Sequence, residues 1–322
     1  MRIPVTSPII HPIIVPTDST LQSYNFYLVQ NQNKIFLVDA GIDTEECWEY
    51  FIEGLQRAHI DLHEIDAIVL THNHADHIGL VNRIRQHKRL PVYAHPDAKI
   101  RLKRDSTFLT FRLRFFEKLY NQMGCGPEAN QQIEKLENAI NENKSQRIKG
   151  DICPIHEEET IFGFKIIEVL GHSPDHIALY HKESGILFAG DHILEHSSSN
   201  ALIELGKDGK RSPSLCMYEA SLNKIASMDV KIIYTGHGRT IMYPDKIIDQ
   251  KLARIEKRAS RVMEYLKKEK TAAELAKSIY KERYYSLFPL VMSEIIGHLD
   301  RLERMECVQK RERNGIYYYS TV

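Results

Sequence analysis

Hydrophobic and polar positions change period repeatedly along this chain. Residues 24–30 (YNFYLVQ) and 34–39 (KIFLVD) are short β-rich runs on either side of polar residues 31–33, which predicts a hairpin. Residues 45–59 place apolar side chains at helical spacing and predict an amphipathic helix. Residues 66–70 (DAIVL) predict a short apolar strand, as do 92–95, 164–170, 177–181, 185–189 and 231–235. Strands and helices mixed in this way predict an α/β fold of sheets covered by helices.

Two segments depart from that alternation. Residues 97–150 are rich in Lys, Arg, Glu, Asn and Gln and predict a helical insertion, a lid or one wall of a site. From about residue 243 the chain turns helical, with a long polar helix over 245–270. Thr271, with Glu274 three residues on, marks a capping box for a helix through Tyr280. A second helix is predicted over 286–302. Residues 307–309, a charged turn (KRERNG) and residues 316–320 then predict a hairpin with Asn314-Gly315 in its turn. Helices followed by such a hairpin resemble a winged-helix module. The expected organisation is a catalytic domain over 1–245 and a linker helix with a small winged-helix-like domain over 246–322.

The 322 residues, 43% of them hydrophobic, suffice for a layered α/β domain of roughly 200–250 residues plus an appendage. Lys+Arg and Asp+Glu each total 43, so overall charge gives no pull toward nucleic acid or a membrane surface. Residues 251–322 hold 16 Lys+Arg against 10 Asp+Glu, mostly on the polar helix. The second helix of the module lacks a clear basic face, so packing on the catalytic unit or a homodimer contact is favoured over nucleic-acid binding. The five scattered cysteines form no CxxC pair, which argues against a disulfide framework or a Cys-based zinc site. Pro4, Pro8, Pro12 and Pro16 interrupt the apolar N-terminal stretch, and no run approaches the roughly 20 residues of a membrane span. A cytoplasmic protein is expected.

Thr71-His72-Asn73-His74-Ala75-Asp76-His77 carries the chemistry. Three histidines and a carboxylate directly follow an apolar strand, and imidazole and carboxylate are preferred ligands of zinc and related metals. In an extended loop, residues two apart point the same way, so His72 and His74 can share one metal. Asp76 and His77 then turn toward a second. Further candidates end later strands: Gly171-His172-Ser173-Pro174-Asp175-His176, Gly190-Asp191-His192 and Thr235-Gly236-His237-Gly238.

The order HxHxDH, GHSPxH, GD, GH resembles the metallo-β-lactamase superfamily, which includes glyoxalase II-type thioesterases, lactonases and nucleases. Asp39-Ala40-Gly41 resembles the DxG that precedes the first motif, and the tail resembles the subgroup bearing a winged-helix-like module. The resemblance implies an αββα sandwich with metals at one edge. It implies one metal on His72, His74 and His172, a second on Asp76, His77 and His237, and Asp191 bridging them. Asp76 is also the expected catalytic residue, orienting a metal-bridging hydroxide. Two divalent ions follow, expected as zinc, with manganese or iron equally suited to these ligands. The substrate expected is a small ester, thioester or lactone-like molecule; the alternative is an endoribonuclease or phosphodiesterase of the same fold.

His74 stands where a di-iron oxygen-reducing branch has Glu, and no cysteine falls in the motifs, which weakens β-lactam hydrolysis. Asp175 stands where the family often has Gly and is read as a surface residue. His176 and Tyr218 are read as structural, Asp39 as orienting a ligand or bonding backbone, and the polar loop 193–212 with its three consecutive serines as pocket-shaping. Phe108, Phe111, Phe115 and Phe116 are read as a buried helix face.

Overall fold

Alternate side chains of one strand point into two different cores. Phe26 and Leu28 enter one apolar cluster, and Tyr27 and Val29 enter another. A strand buried on both faces belongs inside layers. The computed structural model describes residues 7–195, 199–206 and 208–322.

The first sheet holds six strands in sequence order: β1 (Ile9–Pro16), β2 (Ser23–Asn31), β3 (Lys34–Val38), β4 (Ala67–Val69), β5 (Val92–Ala94) and β6 (Cys153–Pro154). Its first three strands are antiparallel and the rest join in parallel. The second sheet holds β7 (Thr160–Ile161), β8 (Phe164–Glu168), β9 (Ile177–His181), β10 (Ile186–Gly190), β11 (Ile232–Thr235) and β12 (Ile241–Met242), again in sequence order. Side chains of both sheets, among them Val29, Phe36, Val69, Phe164, Ile166 and Phe188, form the core between them.

Helices close both outer faces. α1 (Glu45–Ala58), α2 (Ala75–Ile78) and α3 (Val81–His87) lie on the first sheet, burying Cys47, Phe51, Leu55, Ile78 and Ile84 there. Downstream of the insertion, α7 (Ser214–Ala226) and α8 (Asp245–Tyr265) cover the second sheet through Leu222, Ile225 and Ile248. The layers run helix, sheet, sheet, helix.

The insertion is helical: α4 (Ala98–Leu102), α5 (Ser106–Gln122) and α6 (Pro127–Glu142). The C-terminal segment holds α9 (Ala272–Tyr280), α10 (Glu282–Ser286), α11 (Phe288–Arg304) and a three-stranded sheet in the order β13 (Lys270–Thr271), β15 (Ile316–Thr321), β14 (Val308–Arg313). These two segments, far apart in sequence, share one core. Phe116, Leu119, Tyr120 and Met123 of the insertion pack in the same cluster as Leu275, Met292, Leu299 and Tyr319.

Several expectations need adjusting. Ile9–Pro16 of the proline-interrupted N-terminal stretch form strand β1, paired with β2 along that length. It is an edge strand, where a residue lacking N–H is tolerated. The charged Lys310–Arg313 stretch continues β14, leaving only Asn314 and Gly315 in the turn. The second C-terminal helix starts at Phe288, with Pro289 in its first turn. Of the four phenylalanines, Phe116 is buried and Phe111 is 52% exposed, so they do not form one buried face. The capping box at Thr271 is present: its hydroxyl accepts from Glu274 N–H, and the Glu274 carboxylate accepts from Thr271 N–H. No helix among the described residues is long and apolar enough to cross a membrane.

Candidate metal centre

Loops after β4, β8, β10 and β11 bring all seven predicted ligands to one edge of the sandwich. His72 and His74 follow β4, and Asp76 and His77 lie in the short helix α2. His172 lies in the loop after β8, Asp191 directly after β10, and His237 two residues after β11. Three overlapping groups among the described residues could each hold a metal ion: His72, His74 and His172; His72, His77 and Asp191; Asp76, His77 and His237. Within each group the candidate ligand atoms lie within 4.8 Å of one another.

Hydrogen bonds on the outer side of the rings fix which nitrogen faces inward. His77 Nδ1 donates to Asp39 Oδ2 at 2.8 Å. The Thr71 hydroxyl also donates to Asp39 Oδ2, at 2.8 Å, so its oxygen is left to accept from His72 Nδ1 at 3.0 Å. His172 Nδ1 donates to the Asn200 carbonyl at 2.9 Å, and His237 Nδ1 donates to the Ser23 carbonyl at 2.8 Å. A carbonyl or carboxylate only accepts, so in its neutral form each of these four rings presents a bare Nε2 to the centre.

Those inward lone pairs lack protons to meet them. His72 Nε2 and His172 Nε2 face His74 Nδ1 at 2.9 and 3.1 Å, and one proton on His74 could serve only one of them. Asp191 lies 3.3 Å from His77 Nε2, 3.5 Å from His172 Nε2 and 3.2 Å from His237 Nε2. Even so, His77 Nε2, His237 Nε2 and Asp191 Oδ1 are buried without a hydrogen-bond partner. Orphaned buried acceptors of this density are costly unless a cation sits among them. The residues fit divalent metal.

The titration behaviour agrees. Burial, reinforced by neighbouring imidazoles, drives His72 well below its ordinary pKa and His172 down to about 4. Both rings are therefore neutral at physiological pH, the form in which an imidazole can bind a metal. Burial works against charge at His77 too, but the Asp191 and Asp39 carboxylates outweigh it and raise His77 well above its ordinary value. Burial likewise opposes ionisation of Asp191, yet His77 and His237 hold its pKa well below the usual range. The carboxylates demand positive charge at this point.

Several neighbours were hidden in the sequence. Asp175 is not a surface residue: it is fully buried and accepts hydrogen bonds from Asn73 Nδ2 at 2.7 Å and from the Ser173 hydroxyl. The motif loop closes over it, and burial raises its pKa. His176 accepts from Asp191 N–H at 3.2 Å and stacks on His72, which is a structural role. Tyr218 is core, packed edge-on against the buried His192. Asp39 both accepts from the Thr71 backbone N–H at 2.7 Å and orients His77. The Ser23 and Asn200 carbonyls could not be read from sequence, since every residue has one. Of the three consecutive serines in loop 193–212, Ser197 and Ser198 lie outside the described residues.

This constellation on an αββα sandwich defines a class. Residues 20–237 match the model of the metallo-beta-lactamase superfamily, and the chain belongs to that superfamily. It is 29% identical over 312 residues to a probable metallo-hydrolase of Bacillus subtilis, a match covering 96% of this chain and 97% of the relative. It is 24% identical over 255 residues to an atrochrysone carboxyl ACP thioesterase of Aspergillus fumigatus, covering 78% of this chain and 46% of that one. A metallo-beta-lactamase family protein of Thermus thermophilus shares the fold with a TM-score of 0.76 at 22% identity, covering 97% of this chain and 98% of its own. The chain is a metal-dependent hydrolase of this superfamily.

Proposed function

We propose that the chain is a dinuclear metallohydrolase acting on a small ester, thioester or lactone-like substrate. In this reading His72, His74 and His172 hold one divalent ion, and Asp76, His77 and His237 hold a second. Asp191, within 3.5 Å of ring nitrogens from both sets, lies between the two. Zinc is the first expectation for such ligands. The observation that carries the reading is the convergence of bare imidazole nitrogens, four of them fixed by hydrogen bonds on the far side of the ring.

Paired divalent ions supply a water that ionises near neutral pH and stabilise charge developing on the substrate oxygen. The protein's own residues do the rest. Asp39, Thr71, Ser23 and Asn200 hold the rings in one tautomer and one orientation. Asp76 has the most exposed carboxylate of the set, with its side chain 23% accessible and Oδ2 3.5 Å from His237 Nε2. In this reading that exposure lets it meet the substrate and orient the attacking water. The thioesterase among the relatives supports an acyl substrate.

The C-terminal unit is proposed to be winged-helix-like and to serve packing rather than nucleic-acid reading. Among the seventeen residues of α11, those from Val291 to Leu299 are buried almost without a break, leaving no free reading face.

The test is metal analysis of the pure protein, followed by a panel of acyl esters, thioesters, lactones and phosphodiesters on metal-loaded enzyme. Bound transition metal with acyl turnover is expected. Phosphodiester turnover without any acyl turnover would replace the acyl reading with the nuclease one.

A further inference from the structure

A cavity of about 230 Å³ opens beside His74. Its floor is the metal-site loop, through Asn73, His74 and Ser173, and its wall is the helical insertion. Three arginines of that wall, Arg101, Arg104 and Arg112, line it, with Glu204 as the one carboxylate. Glu204 is already shared. Both its oxygens accept from Arg112 Nε, at 2.9 and 3.1 Å, and Oε2 also lies 3.8 Å from Arg101 Nη2.

Arg104 is left over. Among the described residues its side chain makes one hydrogen bond to another side chain, from Nη2 to the neutral Gln146 Oε1 at 2.8 Å, and its Nε is buried with no partner there. Burial and the nearby Arg112 both push its pKa below the ordinary arginine value, the signature of a cation without a counter-charge. Its backbone φ of 49° belongs to the cap that ends α4, where the Arg104 and Asp105 N–H groups donate to the Arg101 and Ile100 carbonyls, so the side chain leaves from a fixed turn between α4 and α5.

We propose that this cavity is an anion subsite: Arg104, supported by Arg101 and Arg112, binds a carboxylate or phosphate on the substrate while the scissile acyl group lies at the metal centre. Guanidinium forks suit both oxyanions. The volume is below the 300–1,000 Å³ of pockets that enclose whole drug-sized ligands, so it takes one charged arm of the substrate. The proposal rests on the acyl-hydrolase reading for the reaction, but anion binding itself is measurable without turnover.

The kinetic test compares phenyl acetate, the monophenyl ester of succinate and acetyl-coenzyme A as substrates of the metal-loaded full chain. These are a neutral ester, a carboxylate-bearing ester and a phosphate-bearing thioester. The expected result is a kcat/KM for one anionic substrate at least about tenfold above that for the neutral ester. Arg104→Gln should lower that ratio by about 10–100-fold through KM, the range for losing a hydrogen bond to a charged group, and Arg104→Lys should keep part of it. Which anionic substrate is favoured separates carboxylate from phosphate. Equal turnover of all three, or an equal loss on neutral and anionic substrates in Arg104→Gln, overturns the subsite.

If no acyl compound is turned over, the acyl reading fails and calorimetry still decides the subsite. Inorganic phosphate and succinate are titrated into wild type and Arg104→Gln, both metal-loaded, with circular dichroism to check folding. Saturable binding of one of them, weakened about tenfold or more in the variant, supports the subsite. Equal binding by the two proteins, or none by either, overturns it.

Discussion

Single side chains set the chemistry of this site by what they do on the far side of the imidazoles. Asp39 is the clearest case. Its carboxylate accepts from the Thr71 N–H, the Thr71 hydroxyl and His77 Nδ1, all between 2.7 and 2.8 Å. It thereby fixes the start of the histidine loop and the tautomer of His77, and through Thr71 it also fixes His72. Asp39→Asn keeps the shape but puts an amide donor where only acceptors fit. Such outer partners are worth about 10–100-fold in metal affinity. A loss of that size is expected in a chelator-competition titration, with little change in circular dichroism. Undiminished affinity would mean that the ring orientations are set by packing alone.

Elements matter here through the ends of strands, where glycines let loops turn tightly onto the site. Gly171 adopts φ 129°, and a Cβ there would collide with the backbone of Tyr218 in α7. The Ser221 hydroxyl, on the same helix, donates to the Leu170 carbonyl at 3.0 Å, so loop and helix are tied together. Gly171→Ala therefore has to push α7 away or re-aim His172. A cost of at least about 2 kcal/mol is expected in urea unfolding, since strained backbone and overlap act at once. A variant as stable as the wild type would show that the loop yields freely.

The same scale explains what could be read in advance. The candidate ligands were legible because the first cluster packs three histidines and a carboxylate directly after an apolar strand, while His172, Asp191 and His237 each sit at a later strand end beside a glycine, and ligand chemistry admits few residue types. β1 was not, because its prolines argue against a strand unless it is known to lie at an edge. Asp175 read as exposed because a carboxylate beside proline looks like loop surface, and its partners Asn73 and Ser173 gain meaning only once two loops meet. The charges of Lys310–Arg313 read as a turn, although β14 simply exposes them to solvent along its length.

At the scale of the whole molecule, titration of buried groups sets stability against pH. His298 is 2% exposed on α11, and burial first, then Arg258 and Arg301, push its pKa down to about 3 from 6.5. The unfolded chain takes up a proton near pH 6.5 and the folded chain does not. This group therefore costs nothing above that pH and erodes stability as pH falls below it, by up to about 1.4 kcal/mol per pH unit. Between pH 7.5 and 5.5 the wild type should lose about 1 kcal/mol more in urea unfolding than His298→Gln. Equal losses would assign the acid sensitivity to other buried histidines.

The larger question at this scale is why a hydrolase carries the C-terminal unit. The insertion that walls the anion cavity cannot bury its own apolar face. Phe116, Leu119, Tyr120 and Met123 are each at most 6% exposed, and the C-terminal helices and sheet supply much of what covers them. Arg301 on α11 clamps the unit to the catalytic layers, with two 2.8 Å bonds to Glu219 on α7 and another to Glu256 on α8. Baring those four side chains would forfeit about 6–12 kcal/mol at 1.5–3 each, comparable to the whole stability of an ordinary domain. A chain ending at residue 245 should therefore not retain an ordered insertion. Limited proteolysis should cut it first between residues 105 and 142, and it should bind the dye ANS or aggregate, even where the sandwich itself stays folded. A soluble 1–245 fragment with the wild-type cleavage pattern and wild-type substrate KM would show the insertion to be self-supporting. The opposite outcome would make the C-terminal unit the buttress that holds the arginine wall beside the metals, coupling a module without ligands of its own to substrate binding.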